Sequence, residues 1–416
     1  MIADRLVFLF PGFEPMRADA HIRRFVRGAE SAAALWGCSL EHAPATPILD
    51  DPLFPVLDTA LAGTGFRTRT RIVFCDWGDL ILAYRARPAA LRFAAGLVAL
   101  ADFLISGTVF RYYRVSWRYG FFYLFPIVVT AAAAAIGWLA GSLAAAWIAG
   151  AFGVAAGALL GLALFAGLLL LADRRMHLLT AMDDWAMARD ICRGRNPAIG
   201  QRVERQAAAI AAAMRAHPAD ETVLAAHSLG ASMAVPALAA ALAGGLVLDR
   251  RFQIVTVGSS LMKTALHPAA KAQRQAVASL VARHELPWTD CQGLSDPINF
   301  YKSNPATSLK IRDGRTPKVV RVHFKHMVKP ETYRRIKRDF FRLHRQFVLP
   351  VERRCPYSFH MLLMGPNPVG DFAETRSVDV PPLTAAKHPP AGMAAPERAA
   401  ESGPSKERRM TEGDER

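Results

Sequence analysis

The chain has 416 residues, 52% of them hydrophobic, and a formal net charge of +16. That length suits one large or two ordinary domains, and so large an apolar share points to a membrane segment. The five cysteines, Cys38, Cys75, Cys192, Cys291 and Cys355, are scattered and form no C-x-x-C pair, which argues against a disulfide framework or a zinc site and fits a reducing compartment.

The first element is Arg5–Glu14, an apolar strand broken at Pro11-Gly12. Residues 18–36 follow in helical pattern, with Arg23, Arg24 and Arg27 expected outward. Cys38–His42 reads as an edge strand and Arg69–Trp77 as a further strand. Arg111, Arg114 and Arg118 then stand among Tyr112, Tyr113, Trp117, Tyr119, Phe121, Phe122 and Tyr123, the mixture of rings and cations expected at a headgroup boundary. From Tyr119 to Ala172 there is no charged residue. A single helix of that length would reach about 80 Å, against a hydrocarbon core of about 30 Å. Two spans, about 121–143 and 150–171, joined by a tight turn, fit instead. Gly137 and Gly141 on the first, and Gly153, Gly157 and Gly161 on the second, recur every four residues, as close-packed membrane helices require. Arg174 and Arg175 follow the second span, so both flanks are basic and both are expected on the cytoplasmic side.

After the hairpin, 183–194 reads as a connector and Ala198–His217 as a helix. Glu221–Val235 reads as a buried strand, a sharp turn at Ser228 and a small-residue helix. Arg251–Ser259 is the next strand, 268–286 is mostly helical, and 288–301 is a strand end and loop. Lys318–Phe324 is the last strand, and Pro330–Val348 is a basic helix. From about Arg376 the composition is that of a disordered tail. The expected organisation is one domain in two parts, 1–110 and 176–375, with the hairpin over 111–175 and the tail over 376–416. Alternating strands and helices imply an α/β fold, a mostly parallel sheet with helices on both faces.

Ala226-His227-Ser228-Leu229-Gly230 has the form of the G-x-S-x-G nucleophile elbow with Ala in the first position. The order Ser228, Asp296, His344 matches Ser…Asp…His. On AHSLG, the Pro11-Gly12-Phe13 turn and the Ser295-Asp296-Pro297 loop, the chain resembles the α/β-hydrolase superfamily in its lipase/esterase-like branch, over about 6–77 and 184–350. The resemblance implies Ser228 as nucleophile. It implies Asp296 as the orienting acid, with Asp290 the alternative. It places the base after the last strand: His344, in His344-Arg-Gln-Phe347, is preferred over His326, with His323 and His360 more remote. His227 is expected to pack or orient. Backbone N–H groups of Leu229 and Phe13 would form the oxyanion hole.

The sequence lacks a P-loop, a Rossmann fingerprint, HExxH and any metal-ligand cluster, so no cofactor or metal is expected. No nucleic-acid module accompanies the basic charge, and an anionic bilayer is the expected counter-charge. The resulting expectation is a membrane-anchored serine hydrolase cleaving an ester or thioester, lipid-derived by location. It would be integral to a bacterial inner (cytoplasmic) membrane, with both termini and the domain on the cytoplasmic side. The alternative is a non-catalytic member of the same fold, acting as a membrane scaffold or partner-binding protein.

Overall fold

Leu6–Phe10 is a run of five apolar residues between Arg5 and the Pro11-Gly12 break, long enough for a central strand and too short for a helix of the core. In the computed structural model, which describes residues 1–379 apart from 149, 249 and 250, this run lies in strand β1 (Asp4–Phe10). Helix α1 (Ala18–Trp36), strands β2 (Ser39–Ala45), β3 (Val56–Gly63) and β4 (Phe66–Phe74) come next, then helices α2 (Gly78–Arg85), α3 (Ala89–Ile105) and α4 (Thr108–Val115). Two long helices follow, α5 (Trp117–Ile148) and α6 (Gly150–Met176). Beyond them lie α7 (Leu178–Arg193), α8 (Pro197–Ala216), β5 (Glu221–His227), α9 (Ala231–Ala243), β6 (Phe252–Val257), α10 (Leu261–Ala265), α11 (Lys271–Val281), β7 (Trp288–Gly293) and β8 (Lys318–Val322).

The eight strands form one sheet in the order β2-β3-β4-β1-β5-β6-β7-β8. β1 pairs parallel to both β4 and β5, and parallel pairing continues through β6 and β7 to β8. Only β3 runs against its neighbours. All seven residues of β5 are buried. Successive strand residues point to opposite faces, so a strand with every residue buried has both faces covered. The sheet is therefore mostly parallel and α/β in class.

Several local expectations are revised. The segment 56–63, not read as a strand, pairs antiparallel with both β2 and β4. The connector expected over 183–194 is helical, inside α7. Its Asp183 takes Arg92 of α3 at 2.6 Å, and Asp102 of α3 takes Arg189 of α7 at 3.2 Å, so these charges bind two helices together. Arg24 turns inward rather than outward, because Glu14 is buried and needs a counter-ion. The basic helix expected over 330–348 is broken into Pro330–Ile336 and Phe340–Arg345. Asp339 restarts it, its carboxylate accepting from the Arg342 N–H at 3.0 Å. From residue 380 on, the expected tail lies outside the described residues; just before, Val378 is buried and its N–H donates to the Pro356 carbonyl at 3.0 Å.

Helices α5 and α6 are both long and apolar enough to cross a membrane. Their 32 and 27 residues correspond to about 48 and 40 Å. α5 ends at Ile148 and α6 begins at Gly150, and the glycine faces meet within this hairpin. A Cβ at Gly137 would lie 2.6 Å from the Gly161 carbonyl oxygen, and one at Gly141 2.6 Å from that of Gly157. Trp138, Trp147 and Phe152 are largely exposed, an apolar exterior of the kind a membrane-spanning helix presents. At the other end, Tyr119, Phe122 and Tyr123 are buried in the domain core, so α5 is rooted in the domain.

Candidate active site

Strand β5 delivers the chain to Ser228, whose φ is 54°, in the left-handed region. A residue other than glycine held there costs about 1–3 kcal/mol and persists only where the surroundings dictate it. Here the next turn dictates it. The helix after Ser228 starts directly against the end of β1: a Cβ at Gly230 would strike the Pro11 carbonyl oxygen and come within 2.7 Å of that of Phe10. Residue 230 must therefore lack a side chain. Ala226 is paired with Phe10 on one side and Thr256 on the other and is fully buried, so its methyl group fits where the elbow pattern has glycine.

His344 and Asp296, 48 residues apart in the chain, meet: His344 Nδ1 lies 2.7 Å from Asp296 Oδ2. Both are buried. The carboxylate is fixed by its own loop. Its Oδ1 accepts from the Ile298 N–H at 2.9 Å, and Asn299 Nδ2 ties the carbonyls of Gly293 and Asp296 together at 2.9 and 2.7 Å. This hydrogen bond sets the Nδ1 proton toward Asp296 and leaves Nε2 as an acceptor. Nε2 is buried and makes no hydrogen bond. Space for the imidazole comes from Gly258, at the end of β6, where a Cβ would sit 3.2 Å from His344 Cε1 and 2.5 Å from the Phe347 ring.

Comparisons of the chain with protein families, curated proteins and solved structures returned no match. Ser228, His227 and His344 line one cavity of about 300 Å³, together with Phe13, Glu14, Arg85, His177, Thr180, Phe341 and Arg345. His227 stacks on His344 with ring centroids 4.9 Å apart. Burial, and then the neighbouring His344, hold His227 well below the ordinary histidine range, so it is neutral and a packing partner.

The turn after β1 forms the opposite wall. A Cβ at Gly12 would fall 3.0 Å from Ser228 Cβ, so only glycine lets the two segments approach. Trp77 Nε1 donates to the Pro11 carbonyl at 2.8 Å and pins this turn from β4's end. None of the hydrogen bonds among the described residues uses the Phe13 N–H, and Phe13 lines the cavity beside Ser228. Leu229 is buried directly after the serine. Burial raises the Glu14 carboxyl, but Arg24 beside it outweighs this and brings it down to about 2. Glu14 is thus an ionised, fully paired group rather than a free base.

The remaining residues lie elsewhere. Asp290 is buried within the sheet, with Thr256 Oγ1 donating to it at 2.5 Å and Gln292 Nε2 at 2.7 Å. Burial pushes its carboxyl up to about 6. His326 is exposed and faces His323 at 5.6 Å, so neither alternative joins Ser228. His360 is buried under α1, where a Cβ at Gly28 would strike its ring. Trp77, Asn299 and Gly258 have parts in the site that the sequence reading does not assign. A glycine directly following a strand, as at 258, was the one signal available for any of them.

A larger depression of about 580 Å³ opens at the other end of the strands, beside Asp4, Arg69, Arg71 and Asp58. Its charges are paired with one another, Arg69 with Asp4 and Arg71 with Asp58, each at 2.7 Å.

Proposed function

We propose that this protein is a membrane-anchored serine hydrolase of the α/β-hydrolase kind, cleaving an ester or thioester through an acyl-enzyme. One observation carries the reading: a serine in left-handed backbone at the end of a central parallel strand shares a cavity with a histidine that is already hydrogen-bonded to a buried aspartate. His344 Nε2 would take the Ser228 proton as Oγ attacks the acyl carbon, and Asp296 would stabilise the imidazolium. The Leu229 and Phe13 N–H groups would hold the developing oxyanion. The proton then passes from Nε2 to the departing alkoxide or thiolate. A water, activated by the same nitrogen, releases the acid and restores Ser228. The hairpin would anchor the domain, with its two basic flanks holding the domain on the cytoplasmic side.

A second reading has its own support. Ser228 and His344 are not hydrogen-bonded, as a non-catalytic scaffold of the same fold would allow. Nucleophile–base bonds are often long before substrate arrives, so the first reading stands. Hydrolysis of p-nitrophenyl butyrate by the full chain in neutral detergent decides between them. The hydrolase reading expects turnover that Ser228→Ala lowers by about 10³-fold or more. No turnover by wild type, or turnover unaffected by Ser228→Ala, favours the scaffold.

A further inference from the structure

Arginines that face inward in this protein are paired. Arg24 meets Glu14, Arg92 meets Asp183 at 2.6 Å and Arg202 meets Asp79 at 2.7 Å. Two arginines in the wall of the Ser228 cavity, Arg345 half-buried and Arg85 exposed, have no such close partner among the described residues. Arg345, half-buried, makes one hydrogen bond among the described residues, from Nε to the Phe341 carbonyl at 3.3 Å, which leaves both terminal guanidinium nitrogens open. Arg85, exposed at the end of α2, makes no close ion pair among the described residues, and it acts on Asp183 only at longer range, behind Arg92. The one acid in the wall, Glu14, is neutralised by Arg24. No acid in the wall is therefore left to pair with Arg345 or Arg85 beside the nucleophile. His177 and Thr180 place it where α6 passes into α7, at the foot of the hairpin.

We propose that Arg85 and Arg345 form an anion clamp, so that the ester this site accepts carries a phosphate or carboxylate a few atoms from the scissile bond. The proposal takes its chemistry from the serine-hydrolase reading, but the clamp itself is a binding property. A guanidinium fork fits two anionic oxygens, and in a cavity partly shielded from water such bonds are stronger than at an open surface. Two sources share this chemistry: an anionic lipid at the bilayer surface, and a soluble phosphorylated ester.

The test uses the full chain carrying Ser228→Ala in neutral detergent, so binding is read without turnover. Calorimetric titration compares dihexanoyl phosphatidic acid, dihexanoylglycerol and inorganic phosphate. The expected result is a preference for phosphatidic acid over the neutral glyceride. Arg85→Gln with Arg345→Gln should reduce that preference by about 10- to 100-fold, as loss of hydrogen bonds to a charged group predicts. The double lysine variant should keep much of it, which separates charge from folding. Phosphatidic acid binding far tighter than phosphate points to the lipid. Equal affinity for both points to the soluble ester. No preference for phosphatidic acid over the glyceride, or one that the double Gln variant leaves unchanged, overturns the clamp. Failure of the serine-hydrolase reading would be seen separately, as absent turnover of p-nitrophenyl butyrate with the binding preference intact.

Discussion

Along the hairpin, Gly137 and Gly141 lie against Gly161 and Gly157, while around Ser228 the glycines are Gly12, Gly230 and Gly258. In the hairpin, glycine lets backbone touch backbone, and large side chains are left exposed. Around Ser228, Gly230 also meets backbone, the carbonyls of Phe10 and Pro11, but Gly12 and Gly258 clear room for side chains: His227 and Ser228 beside Gly12, and His344 and Phe347 beside Gly258. The first is a packing seam repeated down two helices. The second is a set of single clearances that holds one serine in left-handed backbone and one imidazole near it. A seam of repeats is visible as a period in sequence, whereas a clearance depends on what another part of the chain brings.

The comparison breaks most sharply at Asp296. Asp296→Asn keeps the shape of the loop but removes the carboxylate that orients His344. Hydrolysis should fall by about 10³- to 10⁴-fold with the melting temperature little changed. His326→Ala, by contrast, should leave the rate at the wild-type level. A similar loss in both variants would mean that the Asp296–His344 pair has no special role.

Next in size are the glycines themselves. Gly230→Val drives a side chain into the Pro11 carbonyl and should destabilise the domain by about 1–3 kcal/mol while abolishing hydrolysis. Gly157→Leu, which meets the Gly141 carbonyl, should loosen the hairpin yet leave turnover of a soluble ester within about twofold, because seam and site are separate clearances. Thermal unfolding followed alongside hydrolysis checks both. Equal loss of activity in the two variants would show that the hairpin seam and the site are coupled.

The smallest expected effect is a pH dependence. Burial lowers the His360 imidazole from its ordinary value near 6.5 to about 3. The native state refuses a proton that the unfolded chain accepts, so this histidine costs stability as pH falls from about 6.5 toward 3 and nothing above that window. Replacing it by leucine should flatten the fall in stability below pH 6.5 by up to about 1.4 kcal/mol per pH unit. Unfolding of both forms at pH 7 and pH 5 measures it, and parallel slopes would contradict the burial argument.

Much of this was legible in the sequence. AHSLG is a local signal, since the strand, the turn and the small-residue helix are consecutive. The hairpin was legible because an unbroken charge-free run has few other uses. Asp296 and His344 were readable only as an order along the chain; that they meet depends on the Asn299-tied loop and on Gly258 clearing space. β3, with Asp58 and several small residues, lacks a clean alternation, and its register is imposed by β2 and β4. Residues 183–194 read as a connector because Asp183 and Asp184 look solvent-facing. Their partners Arg92 and Lys263 lie far away in sequence, and pairing with them keeps the helix in the interior. Arg24 was placed outward for the same reason.

The most direct test is labelling of the full chain with a fluorophosphonate, followed by mass spectrometry of the modified peptide. The account predicts a single adduct on Ser228, formed far more slowly when His344 is replaced by alanine. An adduct at another serine, or labelling of Ser228 at an undiminished rate without His344, would contradict it.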